Sequence, residues 1–243
     1  MSADIASINL KVLIMDSDFY ALQAINSYLA WDRRTRVTFL AQSVEQMQDY
    51  LAHTPYAELP DVIVMDADHV GGATALRQLI NDLRQRMPDV RVVCLGQHLN
   101  LDLVQAAADA GAVAFMLKQE VRLQIAWAIC YTLDHDFVVT SSIARKLRGT
   151  HHRRLSKASV LPEQREYPEL TDRIRQAIKL CVVEGMPAHL AADEMGISLH
   201  TIRGYIKEGY RILEAHDDTE YPVDMTPQER AFMRFTALAN EDD

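Results

Sequence analysis

Apolar and polar positions along this chain follow two regimes. In the first half, short runs of β-branched and apolar residues alternate with stretches of helical spacing. Candidate strands are Lys11–Asp16, Arg36–Ala41, Asp61–Asp66, Val90–Leu95 and Ala112–Leu117. Such short runs, apolar throughout, fit strands buried on both faces of a parallel sheet. Between and after them, helical patterns cover Phe19–Ala30, Val44–His53, Ala73–Arg86, Leu101–Ala110 and Arg122–Leu133. Five strands each followed by a helix predict an α/β unit, doubly wound around a five-stranded parallel sheet. Ligands of such sheets bind at the carboxyl ends of the strands. Three of those ends carry Asp16, Asp66 and Lys118, which is a setting for a divalent cation and a phosphoryl group.

From Leu170 onward the spacing is helical only. Helices are predicted over Thr171–Glu184, Pro187–Met195 and Leu199–Leu213, with Gly196 in the turn and Ser198 capping the third. Thr226-Pro227-Gln228-Glu229 reads as a capping box that starts a helix reaching about Ala239, before the acidic end Glu241–Asp243. The tail helix has Phe232, Phe235 and Leu238 on one face, able to pack onto the preceding helices, extend a dimer interface or cover the helix before it. Residues Thr140 to Pro168 carry adjacent histidines, many bases, Ser and Pro with little apolar period, and read as a basic linker. The division is 1–139, an α/β unit; 140–168, a linker; 169–216, a small all-α unit; and 217–243, a helical extension with an acidic tail.

Composition narrows this little. Apolar content of 49% and charged content of 24% are those of ordinary globular protein. No run approaches the roughly 18 apolar residues of a membrane helix. The start, Met-Ser-Ala-Asp-Ile, lacks the order of a signal peptide. Cys94, Cys130 and Cys181 are far apart in apolar segments and read as reduced thiols. These features predict a cytoplasmic protein without a membrane partner. The net charge of −9 argues against indiscriminate nucleic-acid binding, but it is uneven, with bases clustered from Arg145 to Lys157. An enzyme is not expected, because no nucleophile–base pair, phosphate loop or closed metal-ligand set is present.

The order and spacing of Asp16, Asp66 and Lys118 resemble the flavodoxin-like receiver domain of two-component response regulators, over roughly residues 9–135. Gly111–Lys118, with Gln119 following, is similar to the NarL/FixJ subfamily. The resemblance implies that Asp66 accepts a phosphoryl group from a sensor histidine kinase and that Lys118 neutralises its oxygens. It also implies Mg2+ held by Asp16, Asp66 and the backbone of Asp68. Mg2+ and an ammonium spread the transition-state charge of such a transfer. The chain departs from the family at three places. Ser17 stands where a second acid belongs, and Asp18 replaces it only if the loop path differs. Gly96 stands at the switch position where the family has Thr or Ser, although Phe115 keeps the aromatic switch position. His69-Val70 replaces the usual Met-Pro after the acceptor. Switching is therefore expected to depend weakly on phosphorylation or not at all.

Ala188–Lys207 fits a helix-turn-helix, with the left-handed backbone of the turn at Gly196. Leu170–Leu213 resembles the LuxR-type output domain of NarL/FixJ regulators and region 4 of sigma factors. That resemblance implies DNA reading by Arg203, Gly204 and Lys207, with Thr201 near the backbone. Gly204 and Gly209 lower helix propensity by about 1 kcal/mol each, and Glu208 opposes phosphates. The expected protein is a DNA-binding transcription regulator acting as a homodimer on a two-fold site. The alternative is a protein-interaction adaptor with negligible DNA affinity.

Overall fold

In the computed structural model the apolar runs of the first half form parallel strands close to their expected bounds. These are β1 (Leu10–Met15), β2 (Thr35–Ala41), β3 (Val62–Asp66), β4 (Arg91–Gly96) and β5 (Ala114–Leu117). The structure describes residues 9–32, 34–162, 167, 169–215, 221 and 223–236. Pro168 of the expected linker, and Leu238, Ala239 and Glu241–Asp243 of the expected tail, lie outside them. The chain divides into two compact units, residues 1–163 and 164–243.

All five residues of β3 are buried, as a strand covered on both faces requires. Helices α1 (Phe19–Trp31), α2 (Val44–His53), α3 (Ala73–Arg86) and α4 (Leu101–Ala110) follow the first four strands. Alternate strand residues face opposite layers. Leu13, Met15, Ile63, Met65, Cys94 and Phe115 share one core cluster with side chains of α2, α3 and α4. On the other face α1 packs beside α6 (Ile125–Tyr131). The span expected as one helix, Arg122–Leu133, is a 3-10 turn at Arg122–Gln124, α6 and a second 3-10 turn at Thr132–Asp134, preceded by a short turn α5 (Lys118–Val121). The break falls at Arg122, whose φ of 47° is incompatible with a continuing helix.

Two corrections concern the edge of this unit. The sheet has seven parallel strands rather than five, in the order β2-β1-β3-β4-β5-β6-β7, with β6 at Val138–Val139 and β7 at Ser159–Val160. The expected linker is therefore folded over its described part up to residue 162: it forms α7 (Ser141–Leu147), a 3-10 turn at Leu155–Lys157, and β7. Burial and ion pairs hold it. Ile143 and Leu155 enter the core. His152 Nε2 meets Asp109 Oδ1 at 2.7 Å. The Arg154 guanidinium bonds Asp136 at 3.0 Å and donates to the Ala108 carbonyl at 2.8 Å, lying over the Phe137 ring. Arg154 of the basic cluster, with His152 beside it, thus fastens the sheet edge. The three cysteines are unpaired; Cys94 is buried, which pushes its thiol up to about 12, and Cys130 and Cys181 are half-buried.

The second unit is all-α. Thr171 caps α8 (Asp172–Ile178), which continues as a π-helical turn over Lys179–Val183. Helix α9 (Ala188–Met195) ends at Gly196 with φ 64° and ψ 38°, the left-handed residue expected there. Ser198 Oγ accepts from Thr201 N at 3.0 Å and caps α10 (Leu199–Ala215). The Thr226–Glu229 capping box forms in both directions, at 2.8 and 3.2 Å, and starts α11 (Pro227–Thr236). Ala177, Leu180, Ala191, Ala192, Met195 and Ile202 make a core of this unit.

The two glycines of α10 have different reasons. A Cβ on Gly209 would lie 2.6 Å from the Ile178 side chain, so glycine there permits close packing of α10 on α8. A Cβ on Gly204 would meet nothing within 4 Å. Gly209→Ala is expected to destabilise the helical unit by about 1–3 kcal/mol through overpacking. Gly204→Ala is expected to stabilise it by about 1 kcal/mol. Urea denaturation of the two variants checks this; shifts of the same sign would contradict the packing argument.

Candidate functional sites

At the carboxyl edge of the sheet, β1, β3 and β5 bring together the three residues singled out by the sequence. Asp16 and Asp66 are each only 1% exposed, which places two carboxylates in a nearly dry crevice. Lys118 Nζ donates to Asp16 Oδ2 at 2.7 Å and lies 3.4 Å from Asp66 Oδ2. Burial alone would lower the Lys118 ammonium, but the hydrogen bond to Asp16 and the charges of Asp66 and Asp16 outweigh it and hold it above the ordinary lysine range. One ammonium between two buried carboxylates offsets much of their mutual repulsion.

The other oxygens and donors of the crevice are also engaged. Asp66 Oδ1 accepts from Asp68 N at 3.1 Å, and Asp66 Oδ2 contacts His69 Nδ1 at 2.6 Å. A carboxylate oxygen accepts, so Nδ1 carries the proton in this contact. The His69 contact was not expected from the sequence; its signal is a histidine three residues past the acid on the loop leaving β3. The Asp68 carboxylate accepts from Gln97 N at 2.6 Å, tying the β3 loop to the end of β4. Asp18 caps α1, accepting from Tyr20 N at 2.8 Å and Ala21 N at 3.2 Å. Both bonds use Oδ1, so that oxygen of the expected alternative ligand is engaged in capping. Among the described residues no three His, Cys, Asp or Glu side chains converge as a metal site. Asp16 and Asp66 are the carboxylates beside Lys118 in the crevice.

Gly96 and Phe115, at the positions expected to act as a switch, lie against each other. Phe115 is fully buried, and a Cβ on Gly96 would lie 3.0 Å from its Cε1 and 3.2 Å from its Cζ. The ring occupies the space that a side chain at position 96 would take. Beyond β5, Thr140 Oγ1 accepts from Leu117 N and Glu120 Oε2 accepts from Ser142 N, both at 3.2 Å, so α7 is fastened to the segment carrying Lys118. Nothing in the local pattern announces these long-range bonds.

In the helical unit α9, Gly196 and α10 form the helix-turn-helix. Ile202 is buried, and Tyr205 and Ile206 pack against the core, as the second helix of such a pair lying on the first requires. Arg203, Gly204 and Lys207 are exposed on the opposite side, and Thr201 is half-buried against Ser198. Glu208 is paired with Arg211 at 2.7 Å, which holds its carboxyl below the usual range and mutes its repulsion of phosphates. Helix α11 packs on α10, with Arg230 and Arg234 near Glu214 at 3.7 and 3.6 Å. It therefore lies toward the carboxyl end of α10, and its described residues do not cover Arg203 to Lys207. No helix among the described residues is long and apolar enough to cross a membrane.

Comparison with known proteins bears on both units. Residues 12–129 match the response regulator receiver domain. The transcriptional activator protein ExaE of Pseudomonas putida is 29% identical over 149 residues, covering 61% of this chain and 66% of that protein. The response regulator protein VraR of Staphylococcus saprophyticus is 28% identical over 214 residues, covering 87% of this chain and 93% of that protein. Among solved structures, the RcsB response regulator of Salmonella typhimurium, described for its conformational dynamism in DNA interaction, aligns with a TM-score of 0.48 at 18% identity. That alignment covers 86% of this chain and 94% of RcsB.

Proposed function

We propose that this chain, whose residues 12–129 match the response regulator receiver domain, is a two-component response regulator of the NarL/FixJ type: a sequence-specific DNA-binding transcription regulator whose receiver controls dimerisation with little or no dependence on aspartyl phosphorylation. The observation that carries the DNA reading is the exposed Arg203, Gly204 and Lys207 set on the second helix of a capped helix-turn-helix. Arg203 can address guanine bidentately, Lys207 a base or phosphate, and Gly204 lets the backbone approach the groove. Thr201 lies at the start of the helix, where a phosphate is favoured. The basic residues left unpaired on this helix are few, so a homodimer on a two-fold site supplies the rest of the affinity.

Three observations support weakened dependence on phosphorylation. Asp66, the acceptor in this reading, already carries bonds from His69 and Asp68 and stands beside Lys118. Mg2+ binding is weakened because Ser17 stands in place of a second acid and Asp18 Oδ1 is engaged in capping α1. Phe115 is already buried against Gly96, so no hydroxyl movement is needed to admit it. The site is a regulatory one, and the protein is not an enzyme in this reading.

The test is affinity selection of random duplex DNA by the full-length protein, with and without Mg2+ and an acyl-phosphate donor. A two-fold motif enriched without the donor is expected. Enrichment only with the donor would overturn phosphorylation independence and restore a sensor histidine kinase as the controlling partner. No enrichment in either arm would favour the adaptor, which the sparse positive charge of α10 also favours. Arg203→Ala is expected to cost about 1–3 kcal/mol on the selected site and to relax preference at one position. Equal weakening on all duplexes would instead make Arg203 a phosphate contact. DNA affinity is expected to fall steeply with added salt; an interaction indifferent to salt contradicts phosphate binding.

A further inference from the structure

The folded edge of the receiver unit contains a second concave site that phosphoryl chemistry does not use. Helix α7, the 3-10 turn at Leu155–Lys157, and strands β6 and β7 enclose an open cleft of about 530 Å³. That size is in the range of small-ligand sites, roughly 300–1,000 Å³. Its walls are of two kinds. Val139, Leu147, Leu155 and Val160 give an apolar floor, and Val160 is left 44% exposed at the edge of the sheet. Arg145 and Arg148 stand on the α7 side, with hydroxyls at Ser141, Thr150 and Ser156.

Charge gives the cleft its selectivity. From Phe137 to Pro162 the sequence has six Arg and Lys (Arg145, Lys146, Arg148, Arg153, Arg154 and Lys157) and no Asp or Glu, in a chain of net charge −9. Arg154 is consumed by Asp136. Arg145 donates only to the neutral Ser142 Oγ, at 2.7 Å, and Arg148 has no ion pair among the described residues. Two uncompensated guanidiniums over an apolar floor suit an anionic head joined to an apolar body.

The geometry points to a binding site for a small amphipathic anion, an acyl carboxylate or an aromatic or aliphatic phosphate, in the cleft between α7 and β7. The bonds from Leu117 N to Thr140 and from Ser142 N to Glu120 join the first residues of α7 to the segment bearing Lys118. Occupancy of the cleft therefore reaches the receiver's acidic site through one short helix.

The test is titration of the full-length protein with the fluorescent probe 8-anilinonaphthalene-1-sulfonate, which has an anionic head and an apolar body. One saturable site is expected. The double variant Arg145→Glu/Arg148→Glu should weaken it by about tenfold or more, since it replaces both cations facing the anionic head with like charges. Lys146→Glu/Lys157→Glu changes the net charge equally but lies outside the lining, and should leave binding within about twofold. All four positions are exposed, so folding is expected to survive, and circular dichroism verifies this. Displacement of the probe by decanoate assigns a carboxylate head, and displacement by phenyl phosphate a phosphate head. No saturable binding, no displacement by either competitor, or equal weakening by both double variants overturns the site. So does loss of duplex-DNA affinity in Arg145→Glu/Arg148→Glu with probe binding unchanged, which would make this face a DNA phosphate contact.

Discussion

Replacing Phe232 with Ala is expected to destabilise the helical unit by about 3–5 kcal/mol, the usual range for emptying a buried aromatic site. Phe232 is 1% exposed, and Ala231, Met233 and Phe235 of the same helix are also buried. Tyr167, itself 1% exposed, donates its hydroxyl to the Arg234 carbonyl at 2.6 Å. Gln228 Nε2 donates to the Cys181 carbonyl at 3.4 Å, tying α11 to the turn after α8. Helix α11 is thus part of the core of its unit rather than an appendage. Small domains are stable by only about 5–15 kcal/mol, so this loss would leave a large fraction of the unit's stability gone. Urea denaturation of the full chain should show the helical unit unfolding at lower denaturant, with the sheet unit's transition unmoved. A midpoint unchanged within about 0.5 kcal/mol would mean that α11 lies loosely on the surface.

The helix also shows what local pattern can and cannot reveal. The capping box at Thr226–Glu229, the left-handed Gly196 and the bounds of α2, α3 and α4 follow from signals within a few residues. The meeting of Asp16, Asp66 and Lys118 was equally legible, because parallel strands bring their ends to one edge. Strands β6 and β7 were not, since two residues carry no period. They are held by Asp109–His152 and Asp136–Arg154 pairs, which span 43 and 18 positions. The basic composition of that stretch read as solvated linker because its acidic partners lie elsewhere in the chain.

Some site details had signals that a closer reading would use. Asp18 directly precedes a helix that starts at Phe19, and Asp is a favoured N-cap. That preference draws on the same carboxylate as metal binding would, and in the structure Asp18 Oδ1 caps α1. Gly209 looked like a weakness of the recognition helix, whereas contact with Ile178 requires it. Only the tertiary neighbour separates a packing glycine from one, such as Gly204, whose side is open.

The second large effect is expected at the acidic site, where His69→Ala should increase phosphoryl uptake from a small acyl phosphate and Asp66→Ala should abolish it. A carboxylate attacks phosphorus with the lone pairs that it otherwise gives to hydrogen bonds. Asp66 Oδ2 faces His69 Nδ1 at 2.6 Å and Lys118 Nζ at 3.4 Å, and Oδ1 takes Asp68 N at 3.1 Å. A bond donated to a charged group is worth about 1.5–3 kcal/mol, which as a barrier difference is one to two powers of ten in rate. The His69 side chain is 61% exposed, so solvent competes for it and the gain should fall near the lower end, about tenfold. Lys118 remains in both variants to neutralise the phosphoryl oxygens, which isolates the histidine's contribution. Labelled acetyl phosphate with Mg2+, followed by intact-mass measurement over time, reads both variants against the parent. Uptake by His69→Ala at or below the parent's rate would remove the histidine as a brake on the acceptor. Label persisting on Asp66→Ala would show that the phosphoryl group goes to another residue, and the acceptor assignment would fail with it.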